Sequence, residues 1–238
     1  MKQAIALIEL VFAIVVIGIT LLAVPNLLSL SRGTAQNAIT QESVSSGASQ
    51  AALVMSQYWD EVDTDPNYNS PVLYVKNGDS ELNETTDSNG NLLGRRVGSN
   101  QNTPRRYEVD SNGSKLEASS TLGEESNDVE KDDIDDFDGD VYTLVHNNDK
   151  GDPTVGEFKD LNISIATIVN YIEDNNTYSQ QDIVFNNPFK YPSSDPNSTN
   201  IKAISVTITS TNDPNKRIVL RAFSCNIGAT RLDDRVFP

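Results

Sequence analysis

The stretch ALIELVFAIVVIGITLLAVP, residues 6–25, is hydrophobic enough to enter a lipid bilayer and yet carries a glutamate, Glu9, near its start. From Ala4 to Val24, every residue is apolar or small except Glu9 and Thr20. A run of about 20 such residues is the length that an α-helix needs to cross a hydrocarbon core. The sequence therefore predicts a membrane-spanning helix, and the acid inside it needs a physical reason.

Two simple interpretations of this stretch account poorly for Glu9. A secretory signal peptide has a shorter apolar core, which is followed by a small-x-small cleavage site. A plain membrane anchor has no reason to keep an acid, because a carboxylate in the bilayer costs about 2–3 kcal/mol. An anchor with Glu9 at the membrane interface stays open as an alternative.

The charge of the chain restricts its partners. The 238 residues include 18 basic and 34 acidic side chains, which give a formal net charge of −16. This balance argues against nucleic acid as a partner, because few basic groups are present to follow phosphates. It would also repel an anionic membrane surface, so that any membrane attachment has to be hydrophobic. The length fits one domain of ordinary size plus an extra element.

The first 25 residues resemble the N-terminal segment of type IV pilins and their pseudopilin relatives. The short basic leader MKQA ends at Ala4, where the family has a glycine or alanine before the cleavage point. Ile5 takes the place of the first mature residue, usually phenylalanine, and Glu9 is the fifth. Gly18 matches a frequent glycine of the apolar helix, and Pro25 lies one residue before the common place of a helix-kinking proline.

The resemblance implies processing and assembly. A prepilin peptidase would cut after Ala4 and methylate Ile5, which leaves Glu9 about one helical turn from a charged amine. When helices of neighbouring subunits pack together, that carboxylate would pair with a neighbour's amine and set the axial register. Lys2 before the apolar run predicts a cytoplasmic N-terminus and a periplasmic head in the bacterial inner membrane. The implied partners are other pilin subunits, the prepilin peptidase and the inner-membrane assembly platform.

The helix is predicted to continue past the membrane. We expect one helix over about 5–59, bent at Pro25, in which 5–30 spans the membrane and 31–59 is amphipathic. The predicted apolar stripe steps by four and three residues and should face a sheet. Met55, Tyr58 and Trp59 are expected in the core. The stripe consists of Val44, Ala48, Ala51, Met55 and Tyr58.

Residues 60–135 are polar and rich in turns. The tetrapeptide DSNG occurs twice, at Asp87–Gly90 and Asp110–Gly113. Both copies predict tight turns that use glycine at positive φ. The segments PVLYV (71–75) and RRYEV (105–109) are short strand candidates. We expect long loops with a few short strands here.

Residues 136–238 are predicted to form a sheet. The segment 161–172 alternates apolar and polar residues, as a half-buried strand does. The segments 201–210 and 217–226 flank the turn cluster TNDPNK and predict an antiparallel hairpin. A long helix followed by antiparallel strands indicates an α+β fold with a pilin-like head.

The acidic segment DDIDDFDGD (132–140), with the strand order after it, is similar to minor pilins of the mannose-sensitive haemagglutinin type. Its carboxylates are weak candidates for Ca²⁺ ligands. The EF-hand register fails, because Ile134 stands where the first aspartate belongs and no glutamate closes the loop. We therefore favour a solvated acidic turn without a metal, with Phe137 in the core. The weak candidates are Asp133, Asp135, Asp136 and Asp138.

These features predict a structural protein rather than an enzyme. No nucleophile–base arrangement and no phosphate-binding glycine loop can be recognised, and no cofactor is implied. The single cysteine, Cys225, cannot supply the C-terminal disulfide of many major pilins, which favours a minor pilin or a pseudopilin. The alternatives are a type II secretion pseudopilin and, from another class, a membrane-tethered adhesin with a calcium-binding acidic loop.

Overall fold

The computed structural model describes residues 2–124, 130–146, 161–174, 195–210 and 213–230. The chain divides into two compact units, Met1–Ser45 and Ser46–Pro238. One long helix and antiparallel sheets confirm the α+β class. The elements are α1 (Lys2–Met55), β1 (Glu84–Thr86), β2 (Leu92–Arg96), β3 (Val141–His146), β4 (Leu161–Tyr171), β5 (Ile201–Ser210) and β6 (Asp213–Cys225).

Helix α1 confirms the predicted long helix but ends at Met55 rather than Trp59. It continues through Pro25, which lacks the N–H that an interior position normally donates. The end is set by pairing with the acidic segment. Tyr58 N donates to Asp132 O, and Ile134 N donates back to Tyr58 O, so that this backbone is no longer available to the helix.

The larger sheet has the order β3-β4-β5-β6, and every neighbouring pair is antiparallel. The predicted alternation in β4 is confirmed, because its odd-numbered residues from Ile163 to Tyr171 are buried. The predicted β5–β6 hairpin is also confirmed. Strand β6 begins at Asp213, inside the segment TNDPNK, and the register shifts at Thr209/Ser210.

The lone histidine and the lone cysteine both lie at strand ends. His146 is the last residue of β3, and Cys225 is the last residue of β6. The thiol of Cys225 is free and half-buried, and burial raises its pKa. A protonated thiol is a weak nucleophile, so this environment does not favour reaction of the thiol.

The predicted stripe of α1 is wrong in its register. Val44, Met55 and Tyr58 are each 40% exposed or more. The face that is buried in the head unit carries Gly47, Gln50 and Val54 instead. Small residues are favoured there because the sheet lies close to the helix: a Cβ on Gly47 would lie 2.9 Å from Ile208 Cγ1 and 3.2 Å from Leu220 Cδ1. Tight approach, rather than hydrophobicity, decides this face.

The core of the head lies between the end of α1, the sheet and the preceding loops. Its residues come from the helix end, the sheet and the polar region between them. That region is therefore part of the packed core, through Leu73, Leu116 and Ala118. The predicted burial of Trp59 and Phe137 is confirmed. The core comprises Val54, Trp59, Leu73, Leu116, Ala118, Ile134, Phe137, Ile163, Ile165, Val169, Tyr171, Ile204, Val206 and Ile208.

The polar region after the helix is more ordered than its composition suggests. Both DSNG segments form the predicted turns, with Gly90 at φ +85° and Gly113 at φ +80°. The predicted strands 71–75 and 105–109 appear as isolated bridges, for example between Val72 and Tyr107. A hairpin of β1 and β2, absent from the sequence interpretation, encloses the first DSNG turn.

Asn226 fastens this region to the end of β6. Its amide Oδ1 accepts from Leu73 N at 3.0 Å, and its Nδ2 donates to Leu73 O at 2.7 Å. The side chain therefore replaces a strand partner for a backbone that has no sheet neighbour there. Buried backbone groups need such partners, and a wholly polar side chain inside the head is explained by this role.

Candidate functional site

The N-terminal unit presents an apolar surface on α1. The exposed large hydrophobic residues from Ile8 to Leu30 are each 46–77% exposed. Glu9 is also exposed and is the one ionisable residue between Ile8 and Ser31. The exposed residues are Ile8, Leu10, Val11, Phe12, Ile14, Val15, Val16, Ile17, Ile19, Leu21, Leu22, Val24, Leu27, Leu28 and Leu30.

The hydroxyl groups on this part of α1 are satisfied by the helix itself. Thr20 Oγ1 donates to Val16 O at 3.0 Å or to Ile17 O at 2.9 Å. In hydrocarbon, an unpaired polar group costs several kcal/mol, and bonding within the helix avoids that cost. From Ile8 to Ser31, α1 has no cationic side chain that could pair with Glu9. In hydrocarbon, the Glu9 carboxylate would therefore need a partner from outside this segment.

The residues predicted for processing and assembly all lie on α1. Ala4 and Ile5 belong to its first turns, and Glu9, Gly18 and Pro25 follow along the helix. No heavy atom outside the helix lies within 4 Å of where a Cβ on Gly18 would be. Among the residues described here, α1 is one helix long and apolar enough to cross a membrane, with none of its most apolar stretch buried.

A second cluster of charges lies inside the head. Lys202 of β5 is 0% exposed, and its ammonium contacts one carboxylate oxygen of Asp135 and lies 3.3 Å from Asp60 Oδ2. It also donates to Trp59 O at 2.6 Å, and Nζ lies 4.5 Å from the Trp59 ring centroid. The centroid of the Tyr171 ring lies 5.5 Å from the same nitrogen. We call Lys202, Asp60, Asp63, Asp133 and Asp135 the buried ionic cluster.

The acidic segment is not the solvated turn that its sequence predicts. Asp133, Asp135 and Asp136 are 0–1% exposed. Their carboxylates fold the segment on itself: Asp133 Oδ1 accepts from the backbone N–H groups of Asp135 and Asp136. Asp136 Oδ2 accepts from those of Asp132 and Asp133. The prediction of solvation was wrong because these local hydrogen bonds and Lys202 replace water.

Asp138 and Asp140, at the end of the segment, lie nearer the surface. Asp138 Oδ1 accepts from Val169 N at 2.9 Å, which ties the segment to β4. Asp140 pairs with Lys131, and both side chains are partly exposed. The aspartates of this segment therefore make two lysine contacts: Asp135 with Lys202 is buried, and Asp140 with Lys131 is partly exposed to water.

Burial changes the protonation of the cluster. It raises the pKa of Asp133 to about 8, and the nearby Asp135 carboxylate adds to this. It raises the pKa of Asp63 to about 7 and that of Asp135 to about 6, the latter despite Lys202. Burial lowers the pKa of Lys202, but the surrounding carboxylates outweigh burial and hold it above the usual value. One ammonium thus faces several carboxyl groups that it cannot all neutralise.

The cluster does not have the arrangement of a metal site. Within the described residues, no group of three or more histidine, cysteine, aspartate or glutamate side chains could hold a metal ion. One buried oxygen each of Asp63, Asp133 and Asp135 has no hydrogen-bond partner. An unpaired carboxylate oxygen in such a place favours the protonated acid, in line with the raised pKa values.

Lys202 was missed in the sequence, although the signal for it was present. In IKAISVTITS, the even positions Ile204, Val206 and Ile208 are the apolar face, and Lys202 is in phase with them. A strand places alternate residues on one face, so that this lysine had to point towards the core. A buried lysine then requires carboxylate partners, and the segment DDIDDFDGD is a dense source of them.

Comparison with known proteins gave no match among protein-family models, curated proteins or solved structures.

Proposed function

We propose that this chain is a type IV pilin-like structural subunit, a minor pilin or a pseudopilin, that assembles through its N-terminal helix. The observation that carries the proposal is the exposed apolar surface of α1 with Glu9 as its one ionisable residue from Ile8 to Ser31. The resemblance of residues 1–25 to the prepilin segment gives this surface a specific interpretation.

The apolar surface needs a covering other than water. Removing apolar surface from water gains about 25 cal/mol per Å². Transfer of the exposed side chains from Ile8 to Leu30 into lipid, or their packing against other helices, is therefore strongly favourable. Lipid serves before assembly, and the helices of neighbouring subunits serve in a filament. Both coverings use the same surface, so that one segment serves as a membrane anchor and as an assembly element.

Glu9 separates assembly from simple anchoring. In a dry environment an ionised carboxylate needs an opposite charge, and α1 offers none from Ile8 to Ser31. Cleavage after Ala4 would create an amine at Ile5, about one turn away. Pairing of Glu9 with the amine of the next subunit would place each copy at a fixed axial step. A protein that is only tethered has no use for this arrangement.

The head supports a structural role. It is a compact α+β unit, and its buried charged groups fasten its own segments together. The proposed location is the bacterial inner membrane, with the head in the periplasm, and later a pilus or pseudopilus. The partners are other subunits, the prepilin peptidase and the assembly platform.

The decisive experiment is the intact mass of the membrane-extracted protein, expressed with and without a prepilin peptidase. We expect loss of MKQA and addition of one methyl group on Ile5 only when the peptidase is present. A chain that keeps its leader in both strains would contradict the proposal and leave a tethered binding protein.

Glu9→Ala tests the assembly step. We expect the variant to be processed and to fold, but to be absent from sheared filaments or from crosslinked subunit ladders, because its partner amine is left unpaired. Glu42→Ala is the matched control, since Glu42 is an exposed acid on the same helix beyond the apolar stretch. Equal assembly of both variants would remove Glu9 from the mechanism.

A further inference from the structure

The contact between Lys202 and Asp135 has the features of a reaction site as well as those of an ion pair. The lysine nitrogen touches a carboxylate oxygen of Asp135, both side chains are at most 1% exposed, and a second carboxylate, Asp60, lies 3.3 Å from the same nitrogen. Two aromatic rings, of Trp59 and Tyr171, complete the surroundings of the nitrogen. Water is thus kept from both functional groups.

We propose that Lys202 Nζ and the Asp135 carboxyl group condense to form an intramolecular isopeptide bond, with Asp60 as the proton carrier. The nitrogen lone pair attacks Cγ of Asp135, a C–N bond forms and one C–O bond breaks. Nζ gives up two of its three protons, and the departing oxygen takes both and leaves as water. The atoms and charges balance without an oxidant, a reductant or a cofactor.

The position of the protons is the main requirement of this reaction. An ammonium is no nucleophile, and Lys202 has a raised pKa, so that the nitrogen has to lose a proton to a neighbouring group before it can attack. Asp60 is in contact with the nitrogen and can take the proton. Burial raises the pKa of Asp135 to about 6, which makes its protonated, electrophilic form accessible. Asp133, with its pKa raised to about 8, is a second nearby proton holder.

The reaction is also favoured by the proximity of the two groups. Two groups held in contact react as if at a very high effective concentration, and no translational entropy has to be lost in the step. The product is also favoured by its surroundings, because a neutral amide replaces a buried ammonium and a buried carboxylate. Displaced water has no place in the dry site, so that the reverse hydrolysis is slow.

The chain contains a natural control for this argument. Lys131 and Asp140 are also in contact, but their side chains are 32% and 21% exposed. Water screens that pair and would hydrolyse an intermediate. The proposal therefore assigns a bond to the buried pair and none to the exposed pair, although the residue types are the same.

The bond would join β5 to the acidic segment that pairs with the end of α1. It would close a covalent loop between positions 135 and 202 and thereby restrict the unfolded chain, as a disulfide does. With its single cysteine, the chain has no intrachain disulfide. A filament subunit that bears load would gain from such a link, but the bond itself does not depend on the proposed function.

The test is the intact mass of the full chain, extracted in detergent from a host without a prepilin peptidase. We expect a mass lower than that of the sequence by one water molecule. Trypsin does not cleave after an acylated lysine, so that Lys202 should resist digestion and a branched peptide should contain Lys202 and Asp135. A chain of full mass, or one that trypsin cuts after Lys202, would overturn the proposal.

Variants locate the bond. Lys202→Arg keeps the positive charge but cannot form the amide, and we expect it to have the full mass. Lys131→Arg should still lack one water. Asp60→Asn keeps both reacting groups and removes the proton carrier, and we expect little or no bond. A water deficit that persists in Lys202→Arg would place the dehydration elsewhere, for example at Asp138–Gly139, and would refute the proposal.

Discussion

The two units of this protein depart in opposite ways from the usual rule that apolar side chains are buried and charged side chains are exposed. In the N-terminal unit, apolar side chains such as Phe12 and Leu22 are more than 70% exposed, and polar groups are few. In the head, a lysine and several aspartates are at most 7% exposed. Apolar side chains lie outside in one unit, and charged side chains lie inside in the other.

This contrast shows where each unit finds its stability. The apolar residues of the N-terminal unit are exposed, and the proposed function assigns lipid or neighbouring subunits to cover them. The head satisfies its buried charges internally, because Lys202 and the backbone of the acidic segment supply the partners. Changes in the first unit should therefore alter location and assembly, whereas changes in the second should alter folding.

The largest expected effect on folding comes from Lys202→Met. Without the lysine, Asp60 and Asp135 are buried with neither an opposite charge nor the proposed bond, which should lower the free energy of unfolding by about 3–5 kcal/mol. Trp59, the single tryptophan of the chain, contacts Lys202 and reports head unfolding by its fluorescence in urea. Lys131→Met, at a partly exposed pair, is the control and should cost below about 1 kcal/mol.

The corresponding change in the N-terminal unit is Leu22→Lys. A lysine at the centre of a membrane span costs about 2.5–3.5 kcal/mol in insertion. We expect much less protein in the membrane fraction, while the urea transition reported by Trp59 stays where it is in the original chain. A shift of that transition would show that the two units do not differ in the way described above.

Gly47→Ala tests the close approach of helix and sheet. The added Cβ would meet Ile208, which is 2% exposed and has little room to move, and overpacking of this kind costs about 1–3 kcal/mol. Alanine otherwise favours a helix over glycine by roughly 1 kcal/mol, which offsets part of the cost. Gly33→Ala, with nothing within 4 Å of its Cβ position, should not destabilise the chain in the same urea titration.

The smallest effect is a pH dependence of the head. Burial raises the pKa values of Asp63 and Asp133, which take no part in the proposed bond, to about 7 and about 8, above the usual 3.8. Their contribution to stability is complete below pH 4 or so and is lost as the pH rises through these values. The free energy of unfolding should therefore fall between about pH 4 and 8. Asp63→Asn should reduce the slope, and an unchanged slope would exclude Asp63 as a source.

Much of the fold could be predicted from local patterns. The long helix, the alternating strand β4, the β5–β6 hairpin and both DSNG turns all follow from periodicity and turn chemistry, which act between residues near in sequence. The buried stripe of α1 could not be predicted in this way. Gly47 and Gln50 look like surface residues until the sheet is in place, when Gly47 gives room and Gln50 donates to Thr167 Oγ1 at 3.3 Å.

The candidate sites divide along the same line. The resemblance to a prepilin segment, with Ala4, Ile5, Glu9, Gly18 and Pro25, was proposed from the sequence alone because its features lie within one helix, and it stays a prediction. The buried ionic cluster was not found, since its members come from three places in the chain: Asp60 after α1, Asp135 in the acidic segment and Lys202 in β5. An aspartate-rich run looks solvated until a partner is known.

By itself, the sequence determined an N-terminal helix whose apolar stretch carries one acid, a following antiparallel sheet and the absence of a second cysteine for an intrachain disulfide. Hydrophobic periodicity and composition act locally, and they need no knowledge of distant contacts. Only the tertiary structure decided which aspartates are buried, that Lys202 faces them, and that a glycine face of α1 meets the sheet. Those outcomes depend on groups far apart in the chain, whose contact is created by folding itself.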